Sequence, residues 1–335
     1  MPQTAAKLRW GILGVARNNR RVLPAFAQAA NAELRAIASR SMERARSAAV
    51  ASGIPTAYGG YERLLDDPAI DAVYIPLPNS LHAEWTMKAA ERGKHVLCEK
   101  PLAPTAAEAR KVVELCRAKG VCLLDGFSWP HHPRTARLRQ VLDSRRLGDI
   151  RRVTGTFTFP LRPLDPGNIR LRADLGGGSL LDVGCYPVYA ICWVFGTEPV
   201  RVYATATYHQ GVDTELSGTL WFADGRVGAF DCGFTLPRRG WLEIAGTDGV
   251  ISVPELWQPS RRATFTVQPR EGAAEEVVVE GDQMLQMIDN FSRAALERRP
   301  VSPSPEEAVR TLRVLDALAE SARERRAVSL VGEAG

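Results

Sequence analysis

The sequence predicts an α/β protein in two parts. A parallel sheet covered on both faces by helices comes first, then an α/β domain built on a largely antiparallel, open sheet. Three observations carry this. Apolar runs alternate with amphipathic helical segments up to about residue 128, the pattern of a parallel sheet with helical crossovers. From 199 to 280 short strand-like runs dominate, with turn pairs such as Asp224-Gly225 and Asp248-Gly249 between them, which signal hairpins. A length of 335 residues suits two domains, and the change of pattern places them at 1–128 and 129–330.

Taken in order, "LRWGILGV" (8–15) is a compact apolar strand and the helix after it carries Pro24. "AELRAIASR" (32–40) is the second strand, followed by a helix ending near Gly53. "DAVYIPLP" (71–78) is a third strand, "LHAEWTMKAAERG" a helix closed by Gly93, and "HVLCEK" the next strand. "TAAEARKVVELCRAKG" has a threonine cap and a glycine stop, and "VCLLDGF" closes the alternating region. Beyond residue 130, "HPRTARLRQVLDSRRLG" reads as a helix and "DIRRVTGTFTF" as an alternating strand. A Pro- and Gly-rich loop (160–178) leads to the helix "SLLDVGCYPVYAICWVFG". After the strands, two helices at 283–299 and 305–327 close the chain.

Composition narrows the function classes. Hydrophobic residues make up 45% and charged residues 24%, a soluble globular mix. No apolar run is long enough to span a bilayer, and "MPQTAAKLRW" lacks the apolar core of a signal peptide. The six cysteines form no C-x-x-C pair and several sit in apolar runs, so they read as reduced core residues of a cytoplasmic protein with no metal site. The net charge of +5 is spread over scattered arginine pairs. With no aromatic residues interleaved, this is solvated surface and not a nucleic-acid face. Trp85, Trp193 and Trp221 read as core, and His132 as a residue near the domain junction that could line a cleft.

The first chemical signal follows the first strand. A dinucleotide pyrophosphate needs a tight turn leading into a helix N-terminus. Here the turn reads Gly14-Val15-Ala16-Arg17-Asn18-Asn19, a degenerate G-x-G-x-x-G in which Ala16 and Asn19 replace the later glycines. With Arg17 it makes a Rossmann-type cofactor turn or an ordinary strand-to-helix turn; its position in the first strand–turn–helix favours the cofactor. At the end of the second strand stand Ser39-Arg40-Ser41, with no acid for a ribose 2′-hydroxyl. A guanidinium and two hydroxyls suit a 2′-phosphate, which points to NADP(H) ahead of NAD(H). Ser41 doubles as a helix cap.

The second signal joins the two parts of the chain. "HVLCEK" ends at Glu99 and Lys100, at the strand edge where α/β sheets bind ligands, and Pro101 rigidifies the turn. Far along the chain, "GGGSLLDVGCYPVYA" puts Asp182 and Tyr186 four residues apart on one helix, a spacing that points both side chains the same way. Each residue alone also has a structural reading: a strand end, a buried cap, core packing. A cleft between the domains would gather Lys100, Asp182 and Tyr186.

These residues resemble the glucose–fructose oxidoreductase and inositol dehydrogenase (Gfo/Idh/MocA) family over nearly the whole chain. "EKP" is similar to its central motif, "GGGSLLDVGCYPV" to its second, and "DAVYIPLPNSLHAEW" and "HHPRTARLRQVL" to further segments. The resemblance implies a dinucleotide-binding domain, a substrate and oligomerisation domain, and pairing into a homo-oligomer, a dimer or tetramer, through the outer face of the second sheet. It implies that Glu99 and Lys100 form the family pair, with Lys100 touching both the substrate hydroxyl and the nicotinamide ribose. It implies too that Leu77, Asn79 and His82 lie along the cofactor. Tyr186 stands where inositol-type members carry histidine, and Pro130 where many members carry arginine.

The chemistry so implied is hydride transfer between nicotinamide C4 and a sugar carbon. Tyr186 gives the proton to the developing alkoxide, Lys100 stabilises that alkoxide and favours the ionised phenol, and Asp182 binds substrate or orients Lys100. "GNIRLRADLGGG" and "PLPNSLHAEW" look most like nucleotide-diphosphate hexose 3-ketoreductases, with Arg170 a candidate substrate contact. An aldose 1-dehydrogenase or dihydrodiol dehydrogenase-type enzyme is the second reading, and a non-catalytic NADP-binding regulator the third.

Overall fold

Residues 6–330 are described by a computed structural model of the chain. It comprises two units: Met1–His131 with Gln283–Val309, and His132–Asp282 with Arg310–Gly335.

The first unit alternates β1 (Leu8–Leu13), α1 (Asn19–Gln28), β2 (Ala32–Ser39), α2 (Met42–Ser52), β3 (Thr56–Gly59), α3 (Tyr61–Leu65), β4 (Ala72–Ile75), α4 (Asn79–Glu91), β5 (His95–Cys98), α5 (Ala106–Ala118) and β6 (Leu123–Asp125). β4 is buried along its whole length, as a central strand covered on both faces must be. The strands pair in parallel in the order β3-β2-β1-β4-β5-β6. That order reverses direction between β1 and β4, and doubly wound sheets bind ligands at that point, beyond the strands' carboxyl ends. Helix ends follow the local signals. Ser41 caps α2 by accepting from Arg44 N, Thr105 caps α5 by accepting from Glu108 N, and Gly53 closes α2 in the left-handed region (φ 64°).

The second unit contains α6 (Pro133–Asp143), β7 (Ile150–Thr158), α7 (Cys185–Phe195), β8 (Arg201–His209), β9 (Val212–Trp221), β10 (Val227–Gly233), β11 (Arg239–Gly246), β12 (Gly249–Val253), β13 (Arg262–Pro269) and β14 (Glu275–Glu280). The chain closes with α8 (Gln283–Leu296), α9 (Glu306–Glu324) and β15 (Val328–Ser329). Nine strands form one sheet in the order β14-β13-β12-β11-β7-β10-β9-β8-β15. All neighbours in it are antiparallel except β7 and β10.

Four expectations change. The unit boundary lies at His131/His132, and α8 packs with the first unit. Its apolar stripe, Met284, Met287, Ile288 and Phe291, joins the core of Trp10, Phe26 and Ile37, and Trp10 Nε1 donates to Ser292 Oγ at 3.1 Å. A helix some 270 residues from β1 carries no local sign of its partner. Secondly, Ala173–Phe195 is long and apolar enough to cross a membrane by composition. However, 78% of its apolar window is buried inside the protein, the mark of a core helix. Thirdly, Trp193 and Trp221 are half-buried beneath guanidinium groups, Arg139 at 4.0 Å and Arg201 at 4.7 Å from the ring centroids, while Trp85 is buried as expected. Finally, His132 is 2% exposed and caps α6 through Nδ1, which accepts from Arg134 N at 2.9 Å. Its role is the packing and capping of its own unit. The six cysteines are all free thiols.

Candidate active site

In the first unit the turn after β1 is built by its own side chains. Gly14 has φ 133°, a conformation L-residues rarely adopt, and a Cβ there would meet Leu77 Cδ2 at 3.0 Å. Asn19, at the third glycine's place, is 6% exposed and its Nδ2 donates to Gly14 O at 2.9 Å, closing the turn. The N–H groups of Asn19, Arg20 and Arg21 donate back to the carbonyls of Ala16, Arg17 and Asn18. Those of Val15, Ala16, Arg17 and Asn18 have no partner among the described residues. Four unpaired N–H groups at the start of α1 make an anion cradle. Beside it, Arg17 and Arg20 line a cavity of about 560 Å³ that reaches α2. At the end of β2, Ser39 Oγ accepts from Ser41 N, Arg40 is exposed, and the Arg40 and Arg44 cations draw the Tyr61 phenol partway back from the rise that burial imposes. These groups fit a 2′-phosphorylated dinucleotide: N–H donors for the pyrophosphate, and guanidinium groups with no competing carboxylate at the ribose end.

Glu99 and Lys100 follow β5. Glu99 Oε1 accepts from Asn18 Nδ2 at 2.6 Å and from Tyr74 Oη at 2.7 Å, and the same Asn18 amide lies 2.8 Å from Tyr74 Oη. The acid therefore ties the turn after β1 to the ends of β4 and β5 across the switch point. Burial pushes its pKa up, and the Tyr74 hydroxyl and the Lys100 cation hold it down. Tyr74, wholly buried, is pushed well up by burial and then by the Glu99 charge. Lys100 is half-buried, and its peptide bond to Pro101 is cis. Gly126 packs against this turn, with a Cβ position 2.9 Å from Glu99 Cα. Next to it, burial and then the Glu99 charge raise Asp125 to about 8. Leu77 and Asn79 are half-buried at the end of β4 and the start of α4.

His82 differs from the expectation. It is fully buried, with its ring nitrogens 2.7 Å from Pro101 O and 2.7 Å from Leu77 O, so it clips the lysine turn to the segment after β4 and has no edge left for a ligand. Burial pushes its pKa down, against the pull of the two carbonyls.

In the second unit, Asp182 lies in a π-wound turn, Leu180–Gly184, that runs into α7; such turns recur at functional sites. Asp182 Oδ2 accepts from Arg170 Nε at 2.6 Å, and the Arg170 guanidinium lies 5.7 Å from the Phe159 ring centroid. The two candidate substrate contacts are thus an ion pair, and the Asp182 charge raises the Arg170 pKa. Tyr186 is 6% exposed, edge-on to Phe157 at 5.1 Å and tilted on Trp257 at 5.6 Å.

Three residues escaped the sequence reading. Asn18 and Tyr74 hold Glu99, but Tyr74 sits in a run that reads as pure core. Asp213 holds the start of the Asp182 helix: its Oδ2 accepts from Ser179 Oγ at 2.6 Å and Leu180 N at 2.7 Å. Burial raises its pKa, against those donors. Asp213, in "GVDTELSG", alternates with Glu215 like any polar strand residue and carries no spacing signal. Among the described residues no group of three or more His, Cys, Asp or Glu side chains could hold a metal ion.

A parallel sheet of this order, an anion cradle at its switch point and a lysine at the neighbouring strand end define a dinucleotide-dependent α/β enzyme scaffold. Comparison with known proteins takes this further. Residues 8–127 match the oxidoreductase family model with an NAD-binding Rossmann fold, and residues 135–252 match the GFO/IDH/MocA C-terminal domain. The chain belongs to the Gfo/Idh/MocA family of oxidoreductases. It is 40% identical over 328 residues to D-xylose 1-dehydrogenase (NADP(+)) 2 of Haloferax volcanii, covering 96% of this chain and 100% of that one. It is 36% identical over 300 residues to the dTDP-3,4-didehydro-2,6-dideoxy-α-D-glucose 3-reductase of Streptomyces violaceoruber, covering 87% and 86%. Among solved structures, the 3-ketoreductase KijD10 of Actinomadura kijaniata, in complex with NADP and TDP-benzene, superposes with a TM-score of 0.88 at 31% identity, covering 94% and 98%.

Proposed function

We propose that the protein moves a hydride between NADP(H) and a sugar carbon, and that its reaction is reduction of the 3-keto group of a nucleotide-diphosphate deoxyhexose. The observation that carries the first statement is full-length similarity to NADP-dependent sugar oxidoreductases, together with an arginine–serine pair in place of an acid after β2. The finer statement is supported by the similarity to 3-reductases of dTDP-sugars and to the NADP–TDP-benzene complex.

When bound, the nicotinamide supplies the hydride. The chain's residues handle charge and proton. Tyr186 gives its phenolic proton to the oxygen that becomes an alkoxide, and the tyrosinate recovers a proton from water. Lys100 holds the negative charge on that oxygen as it develops. Asp182, paired with Arg170, orients the sugar. Solved variants of the Actinomadura enzyme replace a lysine and a tyrosine, which is support for reading these two residue types as functional.

A second reading, oxidation of an aldose at C1, is favoured by the 40% identity to the D-xylose dehydrogenase. Dideoxy 3-keto dTDP-sugars with NADPH in one arm, and neutral aldoses with NADP+ in the other, separate the two when nicotinamide absorbance is followed. Turnover in the first arm with kcat/KM at least about tenfold above the second supports ketoreduction; the reverse order supports the dehydrogenase; no turnover in either arm overturns both. The exposed face of the nine-stranded sheet, where Tyr203 on β8 is 37% exposed, is the surface we assign to self-association. Sedimentation of a monomer only would refute that assignment.

A further inference from the structure

The first unit holds a second cavity, of about 750 Å³, at the opposite edge of its sheet from the nucleotide turn. Gly14 follows the carboxyl end of β1, whereas this cavity is reached where β5 and β6 begin, at His95 and Leu123. Its size is that of a small-molecule site. The floor is apolar, from Val113, Leu123 and Val301. The rim is cationic and not self-neutralised. Of its four cations, Arg117 pairs with Glu306 and Arg299 with Glu297. The other oxygen of Glu306, the one carboxylate lining the cavity, accepts from Ser304 Oγ. The side chains of Lys119 and Arg298 have no hydrogen-bond or ion-pair partner among the described residues. His95 adds a donor: its Nδ1 accepts from Cys122 N at 2.9 Å, which leaves the proton of the neutral ring on Nε2. Arg298 also has φ 53°, in the left-handed position that ends a helix and usually carries glycine.

We propose that this cavity binds a small organic anion, with an apolar body on the Val113–Leu123–Val301 floor and its acidic head between Lys119, Arg298 and the His95 Nε2–H. A purely apolar ligand would leave two cations and a donor facing it. A bare inorganic anion would leave the apolar floor wet. The site is separate from the dinucleotide site, so its occupant and NADP+ bind together.

The test is a fluorescence titration of the NADP+-saturated protein with anilinonaphthalene sulfonate, an apolar body bearing one anion. The neutral N-phenylnaphthylamine is the control. Lys119→Ala/Arg298→Gly is the variant, since both side chains are exposed and glycine accepts the Arg298 backbone without strain. We expect one saturable sulfonate site that persists with NADP+ bound, weakens roughly tenfold or more in the variant, and exceeds the neutral probe by a similar factor. Thermal stability and NADP+ affinity of the variant stay at the parent values. Loss of the sulfonate site on NADP+ loading, equal binding by the variant, or equal affinity for the neutral probe would each overturn the proposal.

Discussion

Asp213 is the residue through which the second unit is most directly testable. Ser179 is wholly buried and Leu180 is 3% exposed, and both donate to the Asp213 carboxylate. Asp213→Ala leaves the hydroxyl and the N–H without their acceptor. A buried donor left unmatched costs about 1–3 kcal/mol. The Ser179 hydroxyl has a weak alternative in Cys232 Sγ at 3.7 Å, so it belongs at the lower end. The two together come to about 2–5 kcal/mol, less what is regained by no longer burying an acid whose pKa burial already raises. Asp213→Asn keeps a carbonyl for Leu180 N and should lose about 1 kcal/mol. The assay is thermal and urea unfolding of both variants, with kcat and NADPH affinity measured beside them. The alanine variant should unfold earlier than the asparagine variant. Its turnover should fall because Asp182 and Tyr186 ride on the element that Asp213 holds, while NADPH affinity, a property of the other unit, stays put. Parent-like stability and turnover in the alanine variant would refute the assignment.

Two further outcomes follow from particular groups. Gly14→Ala forces a side chain into φ 133° and against Leu77; at about 1–3 kcal/mol, NADPH affinity should fall about 10- to 100-fold, as fluorescence titration would read. His131 and His132 are each pushed down to about 4 by burial. The unfolded chain, titrating near ~6.5, therefore binds protons that the folded chain refuses. Their stabilisation is present in full above pH ~6.5 and is lost as pH falls towards about 4. Tm should drop through that window, and His131→Gln should flatten the drop; an unchanged slope would contradict it.

The long periodic elements were legible in the sequence, and so was the residue content of the two motifs. β1, β2 and β4 announced themselves as apolar runs, and the turn pairs marked the hairpins. β3 and α3, four and five residues long, are too short for a period to show. α8 follows the second sheet in the chain but packs in the first unit, and its partners Trp10 and Phe26 lie too far away in sequence to signal this. Lys100, Asp182 and Tyr186 stood out in the sequence as charged or phenolic groups in apolar surroundings. The groups that build the turns around the first unit's motifs did not. Tyr74 is a tyrosine in a core strand, Asn19 closes its turn with a side chain where the motif has glycine, and His82 serves as an internal clip. Each of those roles depends on geometry that no spacing encodes.

Lys100 and Tyr186 are proposed to serve one proton-coupled hydride transfer. The most direct measurement is single-turnover reduction of the sugar by NADPH with Lys100→Ala and Tyr186→Phe, with NADPH affinity measured in parallel. The rate should fall by about 10²- to 10⁴-fold in each variant, with NADPH binding within a few-fold of the parent. Parent-like rates in either variant, with the cofactor bound, would contradict it.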